Sequence, residues 1–294
     1  MDQVLVLGVI AGAIYGLFAI GIVLVYRGTG AVNFAQGEIG TASLFVAWWT
    51  ITEHGWPWVP GAVVTVASAA AIGLAFERLV VRRMVHADRV TVAVATIGLL
   101  SFLLSMELRW FSPSPRIVPP PLQGLGWRIG GVYVSPTQFL AVGLCLAMSA
   151  VFTLLLRRTD FGLGVLAAAQ DPDATRLVGV PLSRVNAFVW ASGAAVSALG
   201  ALLIVPTIGV FAPGFASVLF LKGLAGAVFG GLTSLQGAFV GGVAVGVIEA
   251  GTKRALVHVS GVPGIDLLVV LGIVLLVLLV RPTGLLAELR TREA

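Results

Sequence analysis

Two ionisable side chains stand where the surrounding sequence offers them no water. Lys222 lies within Val218-Leu219-Phe220-Leu221-Lys222-Gly223-Leu224, and Glu249 lies within Val247-Ile248-Glu249-Ala250. A charge at the centre of a bilayer costs about 2.5–3.5 kcal/mol on insertion scales, so each needs a partner or a cavity. If the chain reverses near Ser234, Lys222 lies about 18 Å back and Glu249 about 22 Å forward at 1.5 Å per helical residue. They then reach similar depth on antiparallel neighbours and can pair. Lys253 offers Glu249 another partner four residues on, in the favourable order for a helix end. A third use of these charges is contact with a substrate. Glu77 and Glu107, beside Arg78 and Arg109, read as interfacial side chains that snorkel.

Polar interruptions recur in the two halves of the chain. Arg27-Gly28-Thr29-Gly30 is followed by Val32-Asn33-Phe34-Ala35-Gln36-Gly37-Glu38, where Asn33 reads as an N-cap and Gln36 as the far side of a capping box. Thr233-Ser234-Leu235-Gln236-Gly237 repeats the device before Ala238. Ordinary capped turns have this pattern. So do helices that begin inside a membrane protein, whose unpaired N–H groups and positive dipole end face a cavity. Interrupted helices at matching positions of two halves point to a transport site. On that reading Asn33, Phe34, Gln36, Gly37, Glu38, Lys222, Thr233, Gln236, Gly237 and Glu249 line a substrate pathway suited to a carboxylate. Around the second interruption, Gly223, Gly226, Gly230, Gly231, Gly237, Gly241, Gly242 and Gly246 recur at steps that let helix backbones approach closely in lipid.

A polar run from Arg157 to Arg184 separates two long apolar segments, with Asp173-Ala174-Thr175-Arg176-Leu177-Val178-Gly179 at its centre. In so apolar a chain, such a run reads either as a solvated connector or as a docking element. Gly179 is placed to end a short helix as a C′ glycine. Other chemistries find no support. Cys145 stands alone within an apolar run, and His54, His86 and His258 form no H-E-x-x-H pattern, so neither a disulfide nor a metal site is expected. Neither Lys222 nor Lys253 follows a glycine, so no phosphate-binding G-x-x-x-x-G-K-[ST] exists and any ATP must be hydrolysed by another chain. Gly124-Leu125-Gly126 with Gly130 reads as a loop. No paired catalytic carboxylates or serine–histidine grouping lies within the apolar runs.

The elements that must hold these residues follow from composition. Of 294 residues 58% are hydrophobic and 11% charged. Apolar runs near 4–26, 34–51, 60–80, 91–111, 136–156, 185–205, 216–231, 237–251 and 265–280 approach or exceed the ~20 residues that cross ~30 Å of hydrocarbon. They are solidly apolar rather than alternating, which excludes a barrel. An all-α, polytopic membrane bundle of about eight to ten spans is expected, forming a single domain over residues 1–294 with a cytoplasmic loop at about 157–184. The segment after Met1-Asp2-Gln3 lacks a basic start and reads as a retained span. The net charge of +5 does not point to nucleic acid. Arg78, Arg82, Arg83 and Arg89 bracket one loop, Arg157, Arg158, Arg176 and Arg184 another, and Arg281, Arg290 and Arg292 the tail. That clustering places both loops and the C-terminus in the cytoplasm. The segment Ser112–Ser135 then lies outside, and nine spans with an external N-terminus satisfy the parity.

Taken together, the motifs resemble the permeases of branched-chain amino-acid ABC importers, specifically the shorter of the two paired permease types. Val32 to Glu38 resembles that family's I-N-F-A-H-G-E stretch, with Gln36 in place of the histidine. Arg158-Thr159-Asp160-Phe161-Gly162, Ala169 to Ala174 and Leu177-Val178-Gly179-Val180 are similar to its EAA-type cytoplasmic loop. Lys222, then Gly230-Gly231-Leu232-Thr233-Ser234-Leu235-Gln236-Gly237-Ala238 and Gly241-Gly242, resemble L-K-A-F … G-G-x-G-S-x-x-G-A … G-G, with Thr233 for a glycine. Leu279 to Leu285 is like the closing R-P-x-G-L. The resemblance covers nearly the whole chain. It implies a type II ABC importer fold in a bacterial inner membrane and a non-enzymatic subunit without cofactor or metal. It further implies four kinds of partner: a second homologous permease, two ATPases, an extracytoplasmic substrate-binding protein and the lipid bilayer. Asp173, Ala174, Thr175, Arg176, Leu177 and Gly179 would then meet the ATPase. Related permeases carry urea or short amides as well as amino acids. From the residues alone, an ion-gradient-driven transporter is the rival, though it leaves the cytoplasmic loop unexplained.

Overall fold

The computed structural model describes residues 2–84, 87–124, 126–129, 131–170, 172–256, 265–281 and 284, without the side chains of 2, 3, 169, 172, 173, 265–267 and 278. His86, His258, Leu125, Gly130 and the tail arginines Arg290 and Arg292 lie outside the described residues. Each apolar run expected from sequence folds as a helix: α1 (Asp2–Thr29), α2 (Gln36–Ala47), α3 (Trp58–Leu79), α4 (Arg89–Phe111), α5 (Pro136–Arg158), α8 (Leu182–Ile208), α9 (Phe215–Gly230), α10 (Leu235–Ala255) and α11 (Ile265–Val280). Two shorter helices, α6 (Asp160–Gln170) and α7 (Pro172–Leu177), fill the polar run between α5 and α8. Ser112–Ser135 carries a small antiparallel hairpin, β1 (Trp127–Ile129) with β2 (Val132–Val134), which sequence does not signal.

Six of the helices are long and apolar enough to cross a bilayer. The other three are not. The run expected as one helix over 34–51 is α-helical for 12 residues and continues as a π turn, Trp48–Glu53. Helices α9 and α11 have 16 residues each, about 24 Å at 1.5 Å per residue.

The two arginine-bracketed loops share one face of the bundle, as the charge rule requires. Arg82, after α3, lines a pocket with Arg176 and Ser183, and Arg27 at the end of α1 lines another with Arg157 and Gln236. The segment after α4 lies at the opposite end, where Arg116 and Phe211 exchange backbone hydrogen bonds of 2.8 and 2.9 Å. We refer to the arginine-rich face as cytoplasmic and to the opposite one as outer.

Helix α1 lies at the centre, with Leu17, Phe18, Ala19 and Ile20 fully buried. Its glycines make that position possible. A Cβ on Gly8, Gly12 or Gly16 would fall within 2.8 Å of backbone or side-chain atoms at Val247, Val243 and Phe239. The rising and falling numbers show that α1 and α10 run antiparallel, with backbone against backbone at Gly8 and Gly12 and the Phe239 ring against Gly16. A Cβ on Gly226 would lie 2.6 Å from Gly242 Cα, so α9 meets the same helix in the same way. The close approach expected around the second glycine cluster is present, and α1 is a partner the local sequence does not reveal.

A Cβ at Gly242 would come 2.2 Å from the Gly16 nitrogen, whereas one at Gly143 meets nothing within 4 Å. Gly242→Ala is expected to lower the melting temperature of the detergent-purified chain, reflecting about 1–3 kcal/mol of overpacking. Gly143→Ala is expected to leave it unchanged or raise it, since alanine is favoured in helices by about 1 kcal/mol. Equal shifts at the two positions would contradict backbone contact.

Candidate substrate pathway and coupling surface

The first interruption is deep. After Thr29 the chain turns back along α1, and the Gln36 side chain donates from Nε2 to the Phe18 carbonyl at 3.3 Å. Gly21 leaves room for that amide, since a Cβ there would sit 2.6 Å from Nε2. Phe18 lies in the middle third of α1, so α2 begins well inside the bundle. The expected capping box is not formed. Asn33 Oδ1 accepts instead from the Ala35 N–H at 3.0 Å, a local turn, and α2 starts at Gln36 with Ala35 at its N-cap and no side-chain cap. The Gln36 side chain is turned to the buried α1 carbonyl instead. Thr96 of α4 fixes the intervening residue by accepting from the Phe34 N–H at 3.0 Å.

The second interruption is of another kind. At Thr233–Gly237, Ser234 caps α10 by accepting from the Gly237 N–H at 3.0 Å, as expected. Yet Thr233 and Gln236 are exposed and belong to the cytoplasmic end beside Arg27 and Arg157. It is a reversal at the membrane surface. The helix start that meets α2 is α9, reached through Gly209–Gly214 from α8, with Gly214 at φ 79°. Its first-turn donors are taken up by side chains from elsewhere. Ala216 N–H donates to Thr41 Oγ1 at 3.0 Å, Gly214 N–H to Glu107 Oε2 at 3.3 Å, and the Ser217 hydroxyl to Glu38 Oε1. Carboxylates at a helix N-terminus gain from its dipole. Glu38 and Glu107 thereby tie α2, α4 and α9 together.

Glu107 therefore does not snorkel to solvent. It is 2% exposed, and Glu77 is fully buried. Glu77 accepts from Nε and Nη2 of Arg82, at 3.2 and 3.1 Å, and Arg82 also donates to the Ser183 carbonyl at 3.5 Å. Thr41, Glu107, Ser217 and Gly214 escape a reading by spacing because their partners lie over 100 residues away. The signals available were the Pro213-Gly214 pair and the shortness of the run that follows it.

Both partners proposed for Glu249 are in place. Lys222 Nζ lies 2.7 Å and Lys253 Nζ 2.5 Å from Glu249 Oε1. Lys222 also donates to the Tyr15 hydroxyl at 3.3 Å. These charges form part of the wall of a cavity of about 940 Å³ between α1, the end of α8, α9 and α10. Its other walls are mostly aliphatic, including Leu7, Ile10, Ile14, Ile204, Val218 and Leu219. Of the residues expected in one pathway, Lys222 and Glu249 line this cavity. Asn33, Gln36, Gly37 and Glu38 are buried in the joint between α1, α2 and α9, where Phe34 meets Phe220 edge to face at 6.1 Å.

On the cytoplasmic face, Gly179 has φ 85°, and its N–H and that of Val180 donate to the Arg176 and Thr175 carbonyls at 3.0 and 3.2 Å. Those bonds close α7 in a Schellman motif, as the C′ glycine predicts. Thr175 is buried, while Leu177 and Val178 are 89% and 77% exposed. The Asp173 side chain lies outside the described residues.

Over residues 4–279 the sequence matches a family described as "Branched-chain amino acid transport system / permease component". It is 32% identical to the high-affinity branched-chain amino acid transport system permease protein BraD of Pseudomonas aeruginosa, over 97% of this chain and 95% of that one. It is 31% identical to LivH of Escherichia coli, a permease of the same description, over 96% and 94%. A probable branched-chain amino acid transport permease of Methanocaldococcus jannaschii is 24% identical over 92% and 87%.

Glu107→Ala leaves the Gly214 N–H buried without its acceptor and is expected to destabilise the detergent-purified chain by about 1–3 kcal/mol. Glu107→Gln keeps an acceptor oxygen and should cost less than half as much, read from the two melting temperatures. Equal losses would place the value of Glu107 in its charge rather than in the bond.

Proposed function

Because this chain belongs to the family of branched-chain amino acid transport permeases, we propose that it is the shorter of two homologous permease subunits in an ATP-driven importer. The cargo is a branched-chain or related amino acid, carried inward across the bacterial inner membrane. Two ATPase subunits on the cytoplasmic face and an extracytoplasmic binding protein on the outer face complete the assembly.

The observation that carries this reading is the tip of α7. Leu177 and Val178 project from the cytoplasmic loop almost fully exposed, and burying such side chains in a partner's groove stabilises contact by about 1.5–3 kcal/mol each. Arg176 and Arg184 at the rim add about 0–1 kcal/mol per exposed pair. When ATP draws the two ATPases together, α7 moves with them. The Arg82 bridge between Glu77 and Ser183 passes that motion to α3 and α8. The outer cavity ending at Lys222 and Glu249 supports substrate arriving from the opposite side. This chain contributes no covalent chemistry, since it holds no phosphate-binding loop.

Replacing Asp173–Gly179 by a Gly/Ser linker is expected to abolish both ATPase co-purification from mildly solubilised native membranes and ATP-driven uptake. Leu177→Asp with Val178→Asp should do the same with the backbone retained. Recovery of the wild-type chain without an ATPase, with uptake following an ion gradient and surviving the linker replacement, would overturn the importer reading.

A further inference from the structure

The outer cavity has a charge pattern that packing does not explain. Among the described residues, Lys222, Lys253 and Arg254 are its cations and Glu249 its one carboxylate, all on the wall of an otherwise mainly aliphatic space. Both lysines converge on Glu249 Oε1, while Oε2 of the same group is buried with no hydrogen-bond partner. Glu249 is 2% exposed, so that oxygen forgoes both water and protein, an expensive arrangement unless a donor arrives from the cavity. Lys222 uses two of its three N–H donors, on Tyr15 and Glu249.

A ligand that completes this wall carries a cation and an anion side by side with an aliphatic tail. We propose that the cavity is a binding site for a free α-amino acid, with its ammonium group on Glu249 Oε2 and its carboxylate on Lys222. Tyr15 orients Lys222 from the opposite side. Leu7, Ile10, Ile204 and Val218 receive the side chain. The permease itself, and not only a protein that delivers substrate to it, thereby selects for the zwitterion. Neutral amides such as urea can offer an N–H to the orphan oxygen but bring no ammonium for it and no carboxylate for Lys222. This inference rests on the importer reading for the side from which substrate arrives, but the binding chemistry stands on the cavity.

Equilibrium binding of radiolabelled L-leucine to the purified chain in lipid nanodiscs tests it, with L-leucinamide and 4-methylpentanoate as competitors. Leucinamide lacks the carboxylate and 4-methylpentanoate lacks the ammonium. Each is expected to compete at least about tenfold more weakly than leucine, the loss of one charge-assisted hydrogen bond. Glu249→Gln should weaken leucine about tenfold or more and leave 4-methylpentanoate unchanged. Lys222→Met should weaken leucine and leave leucinamide unchanged. Should either single variant fail to fold, Lys222→Met with Glu249→Met removes both charges together and is expected to abolish discrimination among the three probes. No saturable leucine binding by the wild type, or equal competition by all three probes, overturns the site. So does Glu249→Gln weakening leucine and 4-methylpentanoate alike. ATPase co-purification is scored in the same preparations. Its presence alongside failed binding leaves the importer standing, and its absence alongside selective binding leaves the site standing.

Discussion

Little fits between α1 and α10. Their backbones meet along Gly8, Gly12 and Gly16 on one side and Val243, Gly246 and Val247 on the other, and the rest of the arrangement depends on that closeness. Between two lipid-solvated helices there is little hydrophobic gain, so van der Waals contact over a flat glycine face must do the joining. Because α9 packs on α10 through Gly226, Gly230 and Gly241 as well, the three helices form one tight layer. Lys222, Glu249 and Tyr15 come from these three helices, one each. A wider spacing would strand two charges in an apolar medium. The glycines therefore set the electrostatics of the cavity.

Around this layer several buried polar groups connect separate elements. Glu77 with Arg82 joins the end of α3 to the start of α8. Glu38, Thr41 and Glu107 close the start of α9 onto α2 and α4. Gln36 returns α2 to α1. At α9 the groups so satisfied are those of a helix start, where backbone N–H groups lack intrahelical partners. Aliphatic contacts alone fix such junctions less uniquely, since they have no direction.

What could be read in advance follows the range of the forces involved. The apolar runs, the Ser234 cap, the C′ glycine at 179 and the two partners of Glu249 depend on residues close in sequence or on simple depth arithmetic, and the structure contains them. The capping box at Asn33 is absent because α2 starts at Gln36 with Ala35 at its N-cap, while the Gln36 amide is committed to a distant carbonyl, that of Phe18. Glu77 and Glu107 were misplaced because an adjacent arginine is the nearest neighbour along the chain but not in space. The depth of the two interruptions was not legible either. Thr233 and Asn33 stand in similar local sequences, and only the packing of α1 against α10 puts one at the surface and the other within.

The same glycine contact bears on how the protein is made. Helix α1 leaves the ribosome long before α10, since its partner face belongs to a helix more than 200 residues later. At about 5–20 residues per second, α1 waits roughly ten to fifty seconds in the membrane before α10 exists to cover it. A face built from polar side chains would spend that interval unsatisfied, exposed to wrong partners. A face of glycine, with every backbone bond already closed within the helix, loses little by waiting and remains available. The element that organises the finished bundle is thus also one that nascent chain and lipid can tolerate alone.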